Sequence, residues 1–160
     1  MVMKILAGVL AAGALAFVGP EKPPMKLGLW STQVSTSVKV PGMDLPPGMS
    51  TPKEVKVKAC LTQATWTKQM GGGPQAAGCK TSGEVWTPNS YASDISCETP
   101  QANATGHIAV RWPDMEHSEG TVHMEIDASG QHVVTDSVVT SRFLSADCGG
   151  VRPEKPEVER

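Results

Sequence analysis

From Trp30 to Val40 the even positions read Trp, Thr, Val, Thr, Val, Val, while the odd positions between them are Ser, Gln, Ser, Ser and Lys. A period of two in a stretch rich in β-branched residues predicts a half-buried strand. Pro41–Pro52 breaks the pattern with repeated Pro and Gly and reads as a loop carrying Met43 and Met49. Alternation resumes over Lys53–Cys60, with Val55, Val57 and Ala59 inward and Glu54, Lys56 and Lys58 outward. The lysine group Lys53, Lys56 and Lys58 is therefore read as part of a solvated strand rather than as a binding patch.

One segment carries a different period. Thr62–Met70 has a capping Thr, places Trp66 and Met70 on one face and meets Gly71 at its end, so it predicts a short helix. A Gly-rich loop, 71–78, follows. Lys80–Thr87 and Ser90–Cys97 flank a turn at Pro88-Asn89 and read as a hairpin. Thr105–Trp112 puts Ile108, Val110 and Trp112 on one face, and Gly120–Asp127 turns Val122, Met124 and Ile126 inward. Gln131–Leu144 is a last long strand whose doubled valines, Val133-Val134 and Val138-Val139, leave its facing open. The expected fold is all-β and mainly antiparallel: one small sandwich or open curved barrel of about seven strands, with one short helix.

The chain start changes where this domain is expected to work. Lys4 is the only charge before Glu21, Ile5–Phe17 is apolar, and Ala14-Leu15-Ala16 supplies the small residues of a cleavage site. This reads as a signal peptide over residues 1–16, since a membrane anchor needs roughly 20 apolar residues. Removal leaves a domain over 17–148 with no stable membrane anchor, destined for the periplasm or secretion. Residues 149–160 are polar and Pro-containing and are expected to be a disordered tail. The formal net charge of the chain is −2, with no basic stripe, so nucleic acid is not an expected partner.

The four cysteines, Cys60, Cys79, Cys97 and Cys148, fit disulfides in an oxidising compartment better than zinc, because no two are closely spaced. Three connectivities are possible. Cys79 and Cys97 fall at the open end of the predicted hairpin, which favours pairing them. Cys60 and Cys148 each close a strand, and pairing them would tie early and late parts of the sheet together.

Landmarks in order then define a resemblance. Lys26-Leu27-Gly28-Leu29-Trp30, Val40-Pro41-Gly42-Met43, Cys60-Leu61-Thr62, Cys79-Lys80, Cys97 and Asp147-Cys148 resemble the bacterial family called domain of unknown function 3617. Leu27 and Ser31 stand where that family usually has Pro and Glu, and Ser141–Cys148 departs from its usual Gly-Arg-Arg-Leu-Gly-Asp-Cys ending. The resemblance implies the fold and the export, and it implies no activity.

Candidate chemistry is sparse. Gly73–Thr81 approaches a phosphate-binding loop, but Cys79 separates Gly78 from Lys80 and strand rather than helix follows. Asn103-Ala104-Thr105 is a glycosylation sequon, silent in a bacterial setting. No G-x-S-x-G is present, and none of His107, His117, His123 and His132 has an obvious nucleophile beside it. No catalytic residue and no cofactor is expected. Met115 and His117, near His123 and Met124 and with Met43 and Met49 in the proline-rich loop, make a weak Cu(I) alternative, since thioether and imidazole suit that ion. Alternation places His123 and Met124 on opposite faces, and Met124 reads as core filler. Trp30, Trp66, Trp86 and Trp112 offer either a core or the lining of an apolar cleft. The expectation is a non-enzymatic periplasmic or secreted domain binding a partner protein or a small apolar ligand. A Cu(I)-binding protein and a hydrolase are the alternatives.

Overall fold

A computed structural model of the chain describes residues 22–46, 51–70 and 78–159. The expected signal peptide, Met49 and most of the Gly-rich loop lie outside the described residues. The strands are β1 (Gly28–Lys39), β2 (Lys53–Leu61), β3 (Cys79–Thr87), β4 (Ser90–Glu98), β5 (Ala102–Asp114), β6 (His117–Ala128), β7 (Gln131–Ser145) and β8 (Glu157–Glu159), with one helix, α1 (Gln63–Met70). All eight strands form a single open sheet in the order β3-β4-β5-β6-β7-β1-β2-β8, and every pairing is antiparallel. The architecture is thus all-β with one short helix. Consecutive hairpins build β3 through β7, and β1 then returns against β7 as the first strand of the β1–β2 pair.

Alternation sorts the side chains onto two faces. Trp86, Tyr91, Val110, Gly120, Val139, Val34 and Val55 are successive cross-strand partners from β3 to β2. The next row on that face is Ser93, Ile108, Val122, Ser137 and Thr36, and a third is Ile95, Gly106, Met124, Thr135 and Val38. The register settles the two doubled valines: Val133 and Val139 share this apolar face, while Val134 and Val138 join the polar one. Between β1 and β7 the face carries hydroxyls that pair with one another, Thr32 with Ser141 at 2.9 Å and Thr36 with Ser137 at 2.8 Å. Gly106 is required where it stands, because a Cβ there would collide with the Met124 sulfur and the His123 carbonyl oxygen. Met124 therefore packs over β5 as filler.

The helix starts by reciprocal capping. Thr65 N donates to Thr62 Oγ1 at 3.2 Å, and Thr62 N donates to Thr65 Oγ1 at 2.8 Å, a Thr-for-Glu version of the capping box. Trp66, one turn in, is driven under the helix and is only 3% exposed. Gly28 opens β1 with φ +135°, where a side chain would strike the Ser145 carbonyl; that close approach lets β1 seat against the end of β7.

Two disulfides close the sheet. Cys79 and Cys97 face each other directly across β3 and β4, and Cys60 at the end of β2 joins Cys148 beyond β7 with Cα atoms 5.5 Å apart. These are the pairs that the strand positions favoured. The segment after Cys148 departs from the expected disordered tail. Val151 is 8% exposed, and Glu157–Glu159 pair with Lys56–Lys58 as an eighth strand. Backbone ladders need no apolar pattern, and the Lys58–Glu159 ion pair at 3.2 Å matches charge to charge, so a polar stretch beside a lysine-rich edge strand orders without an apolar signature.

Loss of the longer bridge should be costly. Its ends are 88 residues apart, which gives a loop-closure stabilisation of about 4.5 kcal/mol, against about 3 kcal/mol for the hairpin bridge. Cys148→Ser is expected to lower the thermal midpoint by about 10 °C, read by circular dichroism, and more than Cys97→Ser does. Equal shifts would show that the long bridge does not hold the C-terminal segment.

Candidate functional site: the aromatic end of the apolar face

The four tryptophans gather at one end of the sheet. Trp30 lies near the start of β1, Trp86 near the end of β3 and Trp112 near the end of β5, all on the apolar face, and Trp66 comes down on them from α1. Trp66 meets Trp112 edge-on at 5.8 Å, Trp112 stacks parallel to Trp86 at 6.5 Å, and Trp86 contacts Tyr91 at 4.3 Å. On the other flank Trp30 meets Phe143 edge-on at 5.7 Å, and its indole N–H donates to the Lys26 carbonyl at 2.9 Å. Trp30, Trp66 and Trp112 are each 3% exposed. Trp86 shares the apolar face with its cross-strand partner Tyr91. Its Nε1 is buried and has no hydrogen-bond partner among the described residues.

Between these rings lies a cavity of about 200 Å³. Trp30, Trp66, Trp112, Leu61, Ala59 and Val110 give it apolar walls, with Thr32, Thr65, Ser118 and Ser141 adding hydroxyls. Pro153 and Pro156 border it from the C-terminal segment, a contribution that the polar composition of that segment concealed. Away from this end the apolar face is not fully covered by the described residues: Ile95, Ile108, Val122, Met124 and Ile126 are half-buried, and Val38, Val55 and Val158 are exposed. A larger hollow of about 730 Å³ lies outside, between α1 and Arg152–Lys155. Lys68, Arg152, Glu154 and Lys155 surround it beside Ala64 and Pro153, and these residues are exposed to solvent.

The opposite face carries the ionisable groups. All four histidines place Nδ1 against an aspartate: His107 on Asp94 at 2.9 Å, His117 on Asp114 at 2.9 Å, His123 on Asp136 at 2.6 Å and His132 on Asp127 at 2.8 Å. The sheet therefore separates every imidazole from Ser118 and Ser141 in the cavity. For the Cu(I) alternative, Met115 sits 56% exposed in the β5–β6 turn and His117 starts β6, committed to Asp114. Met124 and His123 point to opposite faces, and Met43 is 55% exposed in the loop after β1. The fold does not gather these residues around one point. Among the described residues, no group of three or more His, Cys, Asp or Glu side chains is placed to hold a metal ion.

These features define a disulfide-bridged, open antiparallel sheet whose apolar face is covered at one end by a short helix. The family model described as protein of unknown function (DUF3617) matches residues 24–148, and the chain belongs to that family. No curated protein and no solved structure matches it. No helix among the described residues is long and apolar enough to cross a membrane.

The polar face should titrate in a defined way. The hydrogen bond that His123 donates to Asp136, followed by the one to Glu125, holds His123 above its ordinary 6.5, and the same imidazole holds Asp136 below its ordinary 3.8. A raised histidine contributes stability below 6.5 and loses it as pH rises through the folded value. A lowered aspartate contributes above 3.8 and loses it as pH falls. The pair is therefore fully effective between those two values. Asp136→Asn should bring the His123 titration, followed by NMR, down toward 6.5; an unchanged midpoint would refute this cause.

Proposed function

We propose that this chain is an exported, non-enzymatic binding domain that takes the apolar end of a small ligand, such as an acyl chain, into the cavity at the aromatic end of its sheet. The observation that carries the reading is the cavity of about 200 Å³ walled by Trp30, Trp66 and Trp112. Dry apolar cavities of about 150 Å³ accept a benzene-sized guest, whereas whole-ligand pockets run to 300 Å³ or more. The volume thus suits a chain end or a single ring, with the rest of the ligand lying along the half-buried valines and isoleucines of the same face. The hydroxyls of Thr32, Thr65, Ser118 and Ser141 in the lining are the groups available to a ligand oxygen.

Two disulfides and the apolar run at Ile5–Phe17 support export to the periplasm or beyond. The separation of the imidazoles from the cavity hydroxyls supports a binding rather than a hydrolytic role. A protein partner is the other occupant of an apolar face, but a concave pocket walled by three tryptophans that are each 3% exposed favours a small molecule.

Dodecanoate is a suitable probe, followed by tryptophan emission and by displacement of an anilinonaphthalene dye. Saturable binding with a 1:1 end point is expected. Ser118→Leu, which fills the cavity floor, should weaken it at least 10-fold while leaving the thermal midpoint within a few degrees. No saturation up to about 1 mM in folded protein would overturn the reading.

A further inference from the structure

We propose that His107 and His123, on the face opposite the cavity, form a cross-strand chelate for a divalent transition-metal ion through their Nε2 atoms. Asp94, His107, His123 and Asp136 are successive in-register partners on β4, β5, β6 and β7. The two imidazoles therefore occupy directly opposed positions on neighbouring antiparallel strands, where Cβ atoms are about 5 Å apart. Each ring is turned by a carboxylate on its outer flank, Asp94 at 2.9 Å from His107 Nδ1 and Asp136 at 2.6 Å from His123 Nδ1. In imidazole, Nδ1 and Cδ2 lie on opposite sides of Cγ. Turning each Nδ1 outward, toward β4 and toward β7, turns both Cδ2–Nε2 edges toward each other.

The same carboxylates fix the tautomer. An Nδ1–H donated to Asp leaves the Nε2 lone pair free, the carboxylate–histidine arrangement that orients imidazole ligands in metal sites. Glu125 Oε1 lies 3.5 Å from His123 Nε2, the spacing of two ligands on one tetrahedral ion with bonds of about 2.0–2.1 Å. The proposed site has two imidazole ligands, with water completing the shell and Glu125 beside His123. Lys39, which reaches Asp136 at 3.6 Å, is the nearby cation. Its ammonium stays on the β1 side of Asp136, away from the Nε2 edges. Imidazole pairs suit Cu²⁺ and Zn²⁺, with Cu²⁺ the tighter of the two.

Calorimetric titration of the whole protein with Zn²⁺ and with Cu²⁺, at pH 7.5 in a non-coordinating buffer, tests this. One ion per chain is expected, with Cu²⁺ bound more tightly. His107→Ala and His123→Ala should each abolish saturable binding or weaken it at least 10-fold. Asp94→Asn and Asp136→Asn, which act by positioning, should weaken it about 10–100-fold. Because all four side chains are exposed, circular dichroism of each variant should match the parent. NMR of the histidine side chains should show Zn²⁺ perturbing Nε2 of His107 and His123 while both keep the Nδ1–H tautomer. Absence of saturation at about 1 mM Zn²⁺ or Cu²⁺ would overturn the proposal. So would binding that survives His107→Ala/His123→Ala and is lost in Met115→Ala/His117→Ala.

Discussion

The structure depends on a mismatch of area between a wide apolar sheet face and a short cover. Eight strands spaced about 4.8 Å apart span roughly 34 Å, whereas an eight-residue helix is about 12 Å long. One helix cannot cover such a face. The fold responds by concentrating its large aromatic side chains at the end where α1 sits, so that Trp66 reaches Trp112, four strands away from the strand that precedes the helix. Elsewhere the face is made tolerable in water by dilution. Thr32, Thr36, Ser137 and Ser141 satisfy one another in pairs, and Gly106 and Gly120 remove side chains altogether. A cavity arises at the aromatic end because bulky flat rings bridge from helix to sheet over a floor of Ala59, Ser118 and Ser141, which are too small to fill the gap.

Most of the strand framework was legible from residue alternation, because a sheet with one wet face imposes period two on every strand. Val55, Val57 and Ala59 against Glu54, Lys56 and Lys58 is the plainest case, and the hairpin that brings Cys79 opposite Cys97 followed from its turn. The helix was legible from Thr62 and the spacing of Trp66. Three things were not. Doubled valines in β7 carry no phase by themselves, and only pairing with β6 and β1 resolves them. The strand Glu157–Glu159 has no apolar residue facing a core; its order comes from ladder hydrogen bonds and from Lys58, both supplied by a distant segment. The Asp94–His107–His123–Asp136 row is invisible along the chain, because its four members come from four strands and meet only through register.

The two faces are chemically independent. Sites on the apolar face depend on dryness and shape, and sites on the polar face depend on charge and proton state. A 4.8 Å ladder carries backbone hydrogen bonds between strands but leaves side chains on opposite faces out of contact, so substitutions on one face reach the other only through strand register. At Gly106 the two are tied closely. This glycine lies directly before His107 and beneath Met124, and any side chain there would force β5 and β6 apart, disturbing the aromatic-face packing and the histidine pair together.

The cover over the cavity is itself held by covalent chemistry. Val151 is buried but Pro153 and Pro156 stay exposed, and β8 adds only three residues of ladder, little to set against a conformational entropy of about 1–2 kcal/mol per residue. Cys60–Cys148 changes that balance. It fixes the segment's first residue at the end of β2, beside Leu61 and the start of α1, so that the remaining residues have only a short path to search before they meet β2 again at Lys56–Lys58. The bridge thus orders the segment by confinement more than by contact. The wall formed by Pro153 and Pro156 is accordingly a property of the oxidised chain: in the reduced chain the same residues lack the anchor that holds them against Trp30 and Trp66.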